Sequence, residues 1–236
     1  MFRNGGMTTL ALGGVVVALL CLDATPAFAT SVSWTDWTAF TVGNPGSAAG
    51  VLNGVSVSYA GQVIPGTCCG GTTINGTSPI WNPTSSFIGG TVDTSPSTVG
   101  DAIALNGSFT GVNTITFATP VVDPVFAIWS LGAPGVAATF TFVSASPTFE
   151  AGGPNSLFGG APIGVAGNVV TGSEGNGVVQ FTGTFTSLSW TNSFENFYAF
   201  TVGVNGGPTP VPEPSTLALL ALGLAGRKFA SRRSAH

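Results

Sequence analysis

Short runs in which every second residue is apolar recur along the chain. Val32 and Trp34 alternate with Ser31 and Ser33, and Val55, Val57 and Tyr59 with Ser56 and Ser58. Ile103 and Leu105 follow, then Ile115 and Phe117, then Phe140 and Phe142 among Thr139 and Thr141. Val179 and Phe181 come next, then Leu188 and Trp190 beside Ser187, Ser189 and Thr191. A period of two puts alternate side chains on opposite faces of a strand, and Gly, Pro, Asn or Asp bound each run. Val125–Leu131 and Phe197–Val204 are apolar on both faces, which predicts central strands. Between Phe185 and Leu188 the alternation changes register, predicting a turn or bulge at Thr186-Ser187. No stretch between the two ends carries an apolar stripe of period 3.6. The expected fold is all-β: an antiparallel β-sandwich of the jelly-roll kind, with about ten to twelve strands.

Charge sharpens this picture. The basic residues are Arg3, Arg227, Lys228, Arg232 and Arg233, so no Lys or Arg stands between Asn4 and Gly226, and the sole His is His236. Acids are spread along the chain: Asp23, Asp36, Asp93, Asp101, Asp123, Glu150, Glu174, Glu195 and Glu213. The body cannot form a Lys or Arg salt bridge, so its fold rests on apolar burial and hydrogen bonds. Nucleic acid is excluded as a partner, because no cation is available to meet phosphates.

The two ends read as addresses. Arg3, an apolar run over Leu10–Leu22 and Ala27-Phe28-Ala29 form a signal helix with a small-residue cleavage site. Signal peptidase would cut between Ala29 and Thr30. At the other end, Ser215–Gly226 is a run of twelve uncharged residues followed by the Arg227, Lys228, Arg232, Arg233 cluster. As a helix it reaches about 18 Å at 1.5 Å per residue, against roughly 30 Å of bilayer core. That suits a transient inner-membrane anchor, with the basic cluster held on the cytoplasmic side. Pro212 and Pro214 keep the approach extended and stop the helix from propagating outwards.

Val211-Pro212-Glu213-Pro214-Ser215, the short Leu/Ala/Gly run and the basic end together resemble the PEP-CTERM sorting signal. That resemblance implies an exported protein whose tail is recognised and removed by a membrane-embedded exosortase, and an association with exopolysaccharide and biofilm. Asn113–Gly132 and Gly167–Gly203 resemble lectin-like β-sandwich ectodomains that precede such tails, which implies a fold but no activity. The expected organisation is a signal peptide (1–29), a β-sandwich ectodomain (30–205), a Gly/Pro linker (206–211) and the sorting signal (212–236) with its short hydrophobic helix. The expected location is the cell surface or extracellular matrix, reached through the inner membrane.

Within the body, catalytic chemistry has little to work with. A nucleophilic triad lacks a His or Lys base, zinc lacks nitrogen ligands, and phosphoryl transfer lacks a basic clamp. A glycan hydrolase needs only two carboxylates, which Glu150, Glu174 and Glu195 could supply. No cofactor is expected. Calcium, which takes carboxylates and carbonyl oxygens, is the one ion with candidates. These are Asp36, Asp93, Asp101, Asp123, Glu174 and Glu195, with Glu174 and Glu195 foremost beside Asn176 and Asn196. Trp81, in a Pro-bounded loop, is the candidate sugar-stacking aromatic; the alternative is a loop anchor packed on the sandwich.

Cys68 and Cys69 are the only cysteines beyond the signal peptide. Export favours oxidation. Adjacent Cα atoms lie at most about 3.8 Å apart, below the usual disulfide span of about 4.4–6.8 Å, so a vicinal bridge would strain the peptide between them. Flanking glycines can absorb that strain, and this reading is preferred over an intermolecular crosslink or free thiols. The functional expectation is a non-enzymatic exported surface or matrix protein. The alternatives are a carbohydrate-binding module, with or without calcium, and a carboxylate-pair glycan hydrolase.

Overall fold

A computed structural model describes residues 31–65, 80–97 and 101–206. In chain order its strands are β1 (Val32–Trp34), β2 (Asp36–Thr41), β3 (Gly43–Leu52), β4 (Val55–Val63), β5 (Ile103–Leu105), β6 (Asn113–Val122), β7 (Pro124–Leu131) and β8 (Ala138–Phe142). They continue with β9 (Thr148–Gly152), β10 (Ala161–Pro162), β11 (Gly164–Ala166), β12 (Val169–Gly172), β13 (Gly175–Gln180), β14 (Thr184–Asn192) and β15 (Tyr198–Asn205). One 3-10 turn, Thr84–Phe87, is the only helical element among the described residues.

The strands form two packed sheets. The eight-stranded sheet runs β11-β12-β8-β14-β6-β4-β3-β2. The seven-stranded sheet has β15, β7 and β13 at its centre. β1 and β5 share the outer edge of β15, and β9 and β10 share that of β13. Every pairing is antiparallel except the two-residue contact of β10 with β13.

Both strands expected to be central are central: β7 and β15 pair directly, from Ala199 opposite Trp129 to Val204 opposite Pro124. Their two apolar faces have separate explanations. Phe126, Ile128, Phe200 and Val202 point between the sheets, where Phe126 stacks on Phe200 at 4.9 Å and meets Trp190 edge-on at 5.1 Å. Val125, Ala127, Trp129 and Ala199 point the other way, into a second apolar layer with Ile80, Trp81, Phe87 and Val92. The 80–97 segment thus roofs the seven-stranded sheet, and aromatic burial on both faces replaces the ion pairs this body cannot make.

The fifteen strands among the described residues exceed the ten to twelve expected from alternation. β3 (GNPGSAAGVL) was missed because Gly, Pro and Ala carry little strand preference. It is a strand because β2 and β4 pair along both its edges. The expected bulge is present: the β14–β6 register shifts between Phe185 and Ser187. The signal helix and C-terminal hydrophobic helix lie outside the described residues.

Candidate functional site

The polarity of β15 defines two ends. Asn205 at its finish pairs with Val32, and the Gly206 amide donates to the Ser31 carbonyl at 3.0 Å, so the first and last described residues lie side by side. At its start, eight strand residues and roughly 25 Å away, Tyr198 follows the loop that carries Glu195. Glu174, Val136 and Phe158 lie in loops at that same distal end, joined to it through β7, β8 and β13.

A β-bulge builds this end. Leu131 opposes Gly175 and Ile128 opposes Gly177, leaving Trp129 and Ser130 together opposite Asn176. Ser130 takes φ +57, an unusual left-handed conformation for serine. Its amide donates to Asn176 Oδ1 at 2.8 Å and its hydroxyl to Glu174 Oε2 at 2.5 Å. Glu174 is also left-handed, at φ +55, in the two-residue turn joining β12 to β13. Asn176 is wholly buried and works as a hub. Its Oδ1 also accepts from Asn155 Nδ2 at 3.0 Å, and its Nδ2 donates to the Glu174 carbonyl at 2.8 Å. Asn155 in turn accepts from the amides of Leu157 and Phe158. Bulge, turn and loop therefore form one hydrogen-bonded unit.

Glu195 is 6% exposed, and its Oε2 accepts from the Phe197 amide at 3.0 Å. Burial pushes both carboxyls above the ordinary range; the Ser130 hydroxyl pulls Glu174 partly back, and the negative charge of Glu195 adds to its rise. The fold thus brings Glu174 and Glu195 within electrostatic reach of each other. Trp129 packs against Phe158 at 5.5 Å and Phe197 at 5.8 Å, while Phe158 and Phe194 stay substantially exposed.

The other candidates are scattered. Glu150 Oε2 accepts from the Thr91 amide and hydroxyl, tying down the roof segment. Asp93 Oδ1 accepts from the Val32 amide, Asp123 Oδ1 accepts from the Gly183 amide, and Asp36 lies exposed on the edge strand β2. Asp101 is half-buried at a left-handed turn, and Asn196 is exposed beside Glu195. Among the described residues no three His, Cys, Asp or Glu side chains cluster as a metal site. Asn176 is a poor calcium ligand here, since two donors already occupy its carbonyl oxygen. Trp81 is fully buried, edge-on to Phe87 at 5.1 Å; of its two readings, the structure places it as an anchor. Sequence reasoning missed Ser130, whose only signal is one hydroxyl inside an apolar run. Ala27, Ala29, Thr30, Cys68, Cys69 and the motif Val211–Ser215 lie outside the described residues.

The tail is where comparison with known proteins speaks. Residues 210–234 match the family model described as the PEP-CTERM protein-sorting motif. Comparison with curated proteins and with solved structures found no match. Residues 210–234 thus carry a sorting signal that implies an exosortase-sorted exported protein.

Proposed function

We infer that this protein is a non-enzymatic component of the cell surface or extracellular matrix, associated with exopolysaccharide or biofilm. The observation that carries this reading is the sorting motif at 210–234 behind a body whose ends emerge side by side. While the tail sits in the inner membrane, that arrangement turns the Glu174–Glu195 end outward. An acid-only surface also keeps exported copies apart through like charge. No catalytic step is assigned to the carboxyl pair: Glu174 is tied to Ser130 and Glu195 to the Phe197 amide. Fractionation of cells with and without their exosortase tests this reading. The expected result is surface or matrix protein in the first and membrane-bound precursor in the second; identical fractions would contradict it.

A second reading has its own observation. Two carboxyls within electrostatic reach of each other, at the same end as the exposed rings of Phe158 and Phe194, favour a carbohydrate site at the distal end, with or without calcium. Titration of the exported protein with calcium, followed by tryptophan fluorescence through Trp129, tests the ion. An EDTA-insensitive signal leaves calcium out.

A further inference from the structure

The outer face of the eight-stranded sheet is a continuous field of small hydroxyl and methyl groups. One transverse row runs Ser187, Thr116, Ser58, Ala49, Ala39, each opposite the next in the strand pairing. The neighbouring row runs Ser189, Thr114, Ala60, Ser47, Thr41, and Thr114 and Ser189 share a hydrogen bond at 3.0 Å. Towards the far edge Thr171 opposes Thr139, and Thr141 opposes Thr191. Among the strand residues of this face only Asp36, at the rim, is ionisable.

The field is indented. Thr38, Ala49, Val51, Ser56, Ser58 and Thr116 line an open groove of about 430 Å³ across β2, β3, β4 and β6. Its depth comes from small residues on β3 and from the β2 bulge between Trp37 and Ala39.

We propose that this groove binds a neutral polysaccharide chain lying across the strands. Charge selects the occupant. A polyanion finds no Lys or Arg in the body, whose charged side chains are all acids, and meets Asp36 at the rim of this face. A second copy carries the same acids and is repelled likewise. A polycation has no reason to seek the uncharged groove over those carboxylates. Hydroxyl side chains both donate and accept, matching a hydroxyl-rich ligand in either sense, and Thr and Ala methyls supply apolar contact for sugar C–H faces. The β3 and β4 strands hold these groups at a spacing of about 4.8 Å, so a linear polymer meets repeated contacts without a deep pocket.

This inference rests on the reading of the body as a non-catalytic module, and its test separates the two. The exported protein is mixed with insoluble cellulose, insoluble β-1,3-glucan and calcium alginate gel, and depletion from solution is measured. The expected result is retention on a neutral polymer, persisting at high salt, with less on alginate. Ser58→Glu and Thr116→Lys, exposed positions of opposite introduced charge, should each weaken retention about tenfold or more, while Thr182→Glu, outside this sheet face, should not. Thermal melts of each variant confirm folding. Retention on neither neutral polymer, unchanged retention in both groove variants, or Thr116→Lys strengthening retention on alginate above that on the neutral polymers would overturn the proposal. None of these outcomes touches tail processing, whose failure would instead sink the sorting reading and leave retention intact.

Discussion

The Gly206 amide donates to the Ser31 carbonyl at 3.0 Å, so the first and last described residues of the sandwich are hydrogen-bonded neighbours. Under the proposed function, signal-peptide removal and tail processing would both act at this end of the body. The opposite end is held by the Ser130–Glu174–Asn176 unit, and the broad hydroxyl face runs between the two. Several measurements probe this arrangement.

The raised carboxyls set a pH dependence. Glu174 and Glu195 have folded pKa values above their unfolded ones, chiefly through burial. Their protonated forms favour the folded state. That stabilisation is complete below the unfolded pKa, about 4.3, and is lost as pH rises through the folded values. Tm is therefore expected to rise on acidification from neutral pH into the weakly acidic range. Glu174→Gln combined with Glu195→Gln should raise Tm at neutral pH and flatten the rise. An unchanged slope in the double variant would contradict this.

The bulge makes a contrast between two substitutions. Asn176→Ala strips acceptors from the Ser130 amide and Asn155 Nδ2 and a donor from the Glu174 carbonyl. A loss of about 2–4 kcal/mol is expected. Ser130→Gly forfeits the Glu174 hydrogen bond but relieves a left-handed serine, so the net change should stay within about 1 kcal/mol. Urea midpoints decide the matter; equal losses would argue against Asn176 as the hub.

The roof segment is part of the fold. Trp81 and Phe87 are buried against the seven-stranded sheet. Trp81→Ala is expected to cost about 3–5 kcal/mol, lowering the urea midpoint of the whole body. A variant as stable as the parent would show that the segment packs loosely.

Cys68 and Cys69 are predicted to form a vicinal bridge after export. Alkylation of denatured, unreduced protein should label neither thiol, and reduction should expose two while the protein stays monomeric. Two labelled thiols before reduction would refute the bridge.

Alternation made the framework legible where side chains dictate it. β7 and β15 announced themselves by apolar residues on both faces, and the Phe185–Ser187 irregularity by a broken period. What alternation could not reveal was structure imposed from outside a segment. β3 is a strand because two neighbours pair with it, despite its Gly-Asn-Pro-Gly start. Gly172–Gly177 is rich in turn-forming residues, yet only Ser173-Glu174 turn, and β13 begins at Gly175. Glu174 and Glu195 were singled out together as the foremost calcium candidates. Their proximity arises from pairing among β15, β7 and β13, which sequence spacing does not encode. The hydroxyl face was legible as alternating Ser and Thr, but its rows and groove depend on strand order.

The most direct test of the account is the intact mass of the protein recovered from the cell surface or medium. The account predicts a chain beginning near Thr30 and ending upstream of the Arg227-Lys228 cluster, with the hydrophobic run removed, and an untrimmed C-terminus in cells lacking the exosortase. A surface protein that still ends at His236 would contradict it.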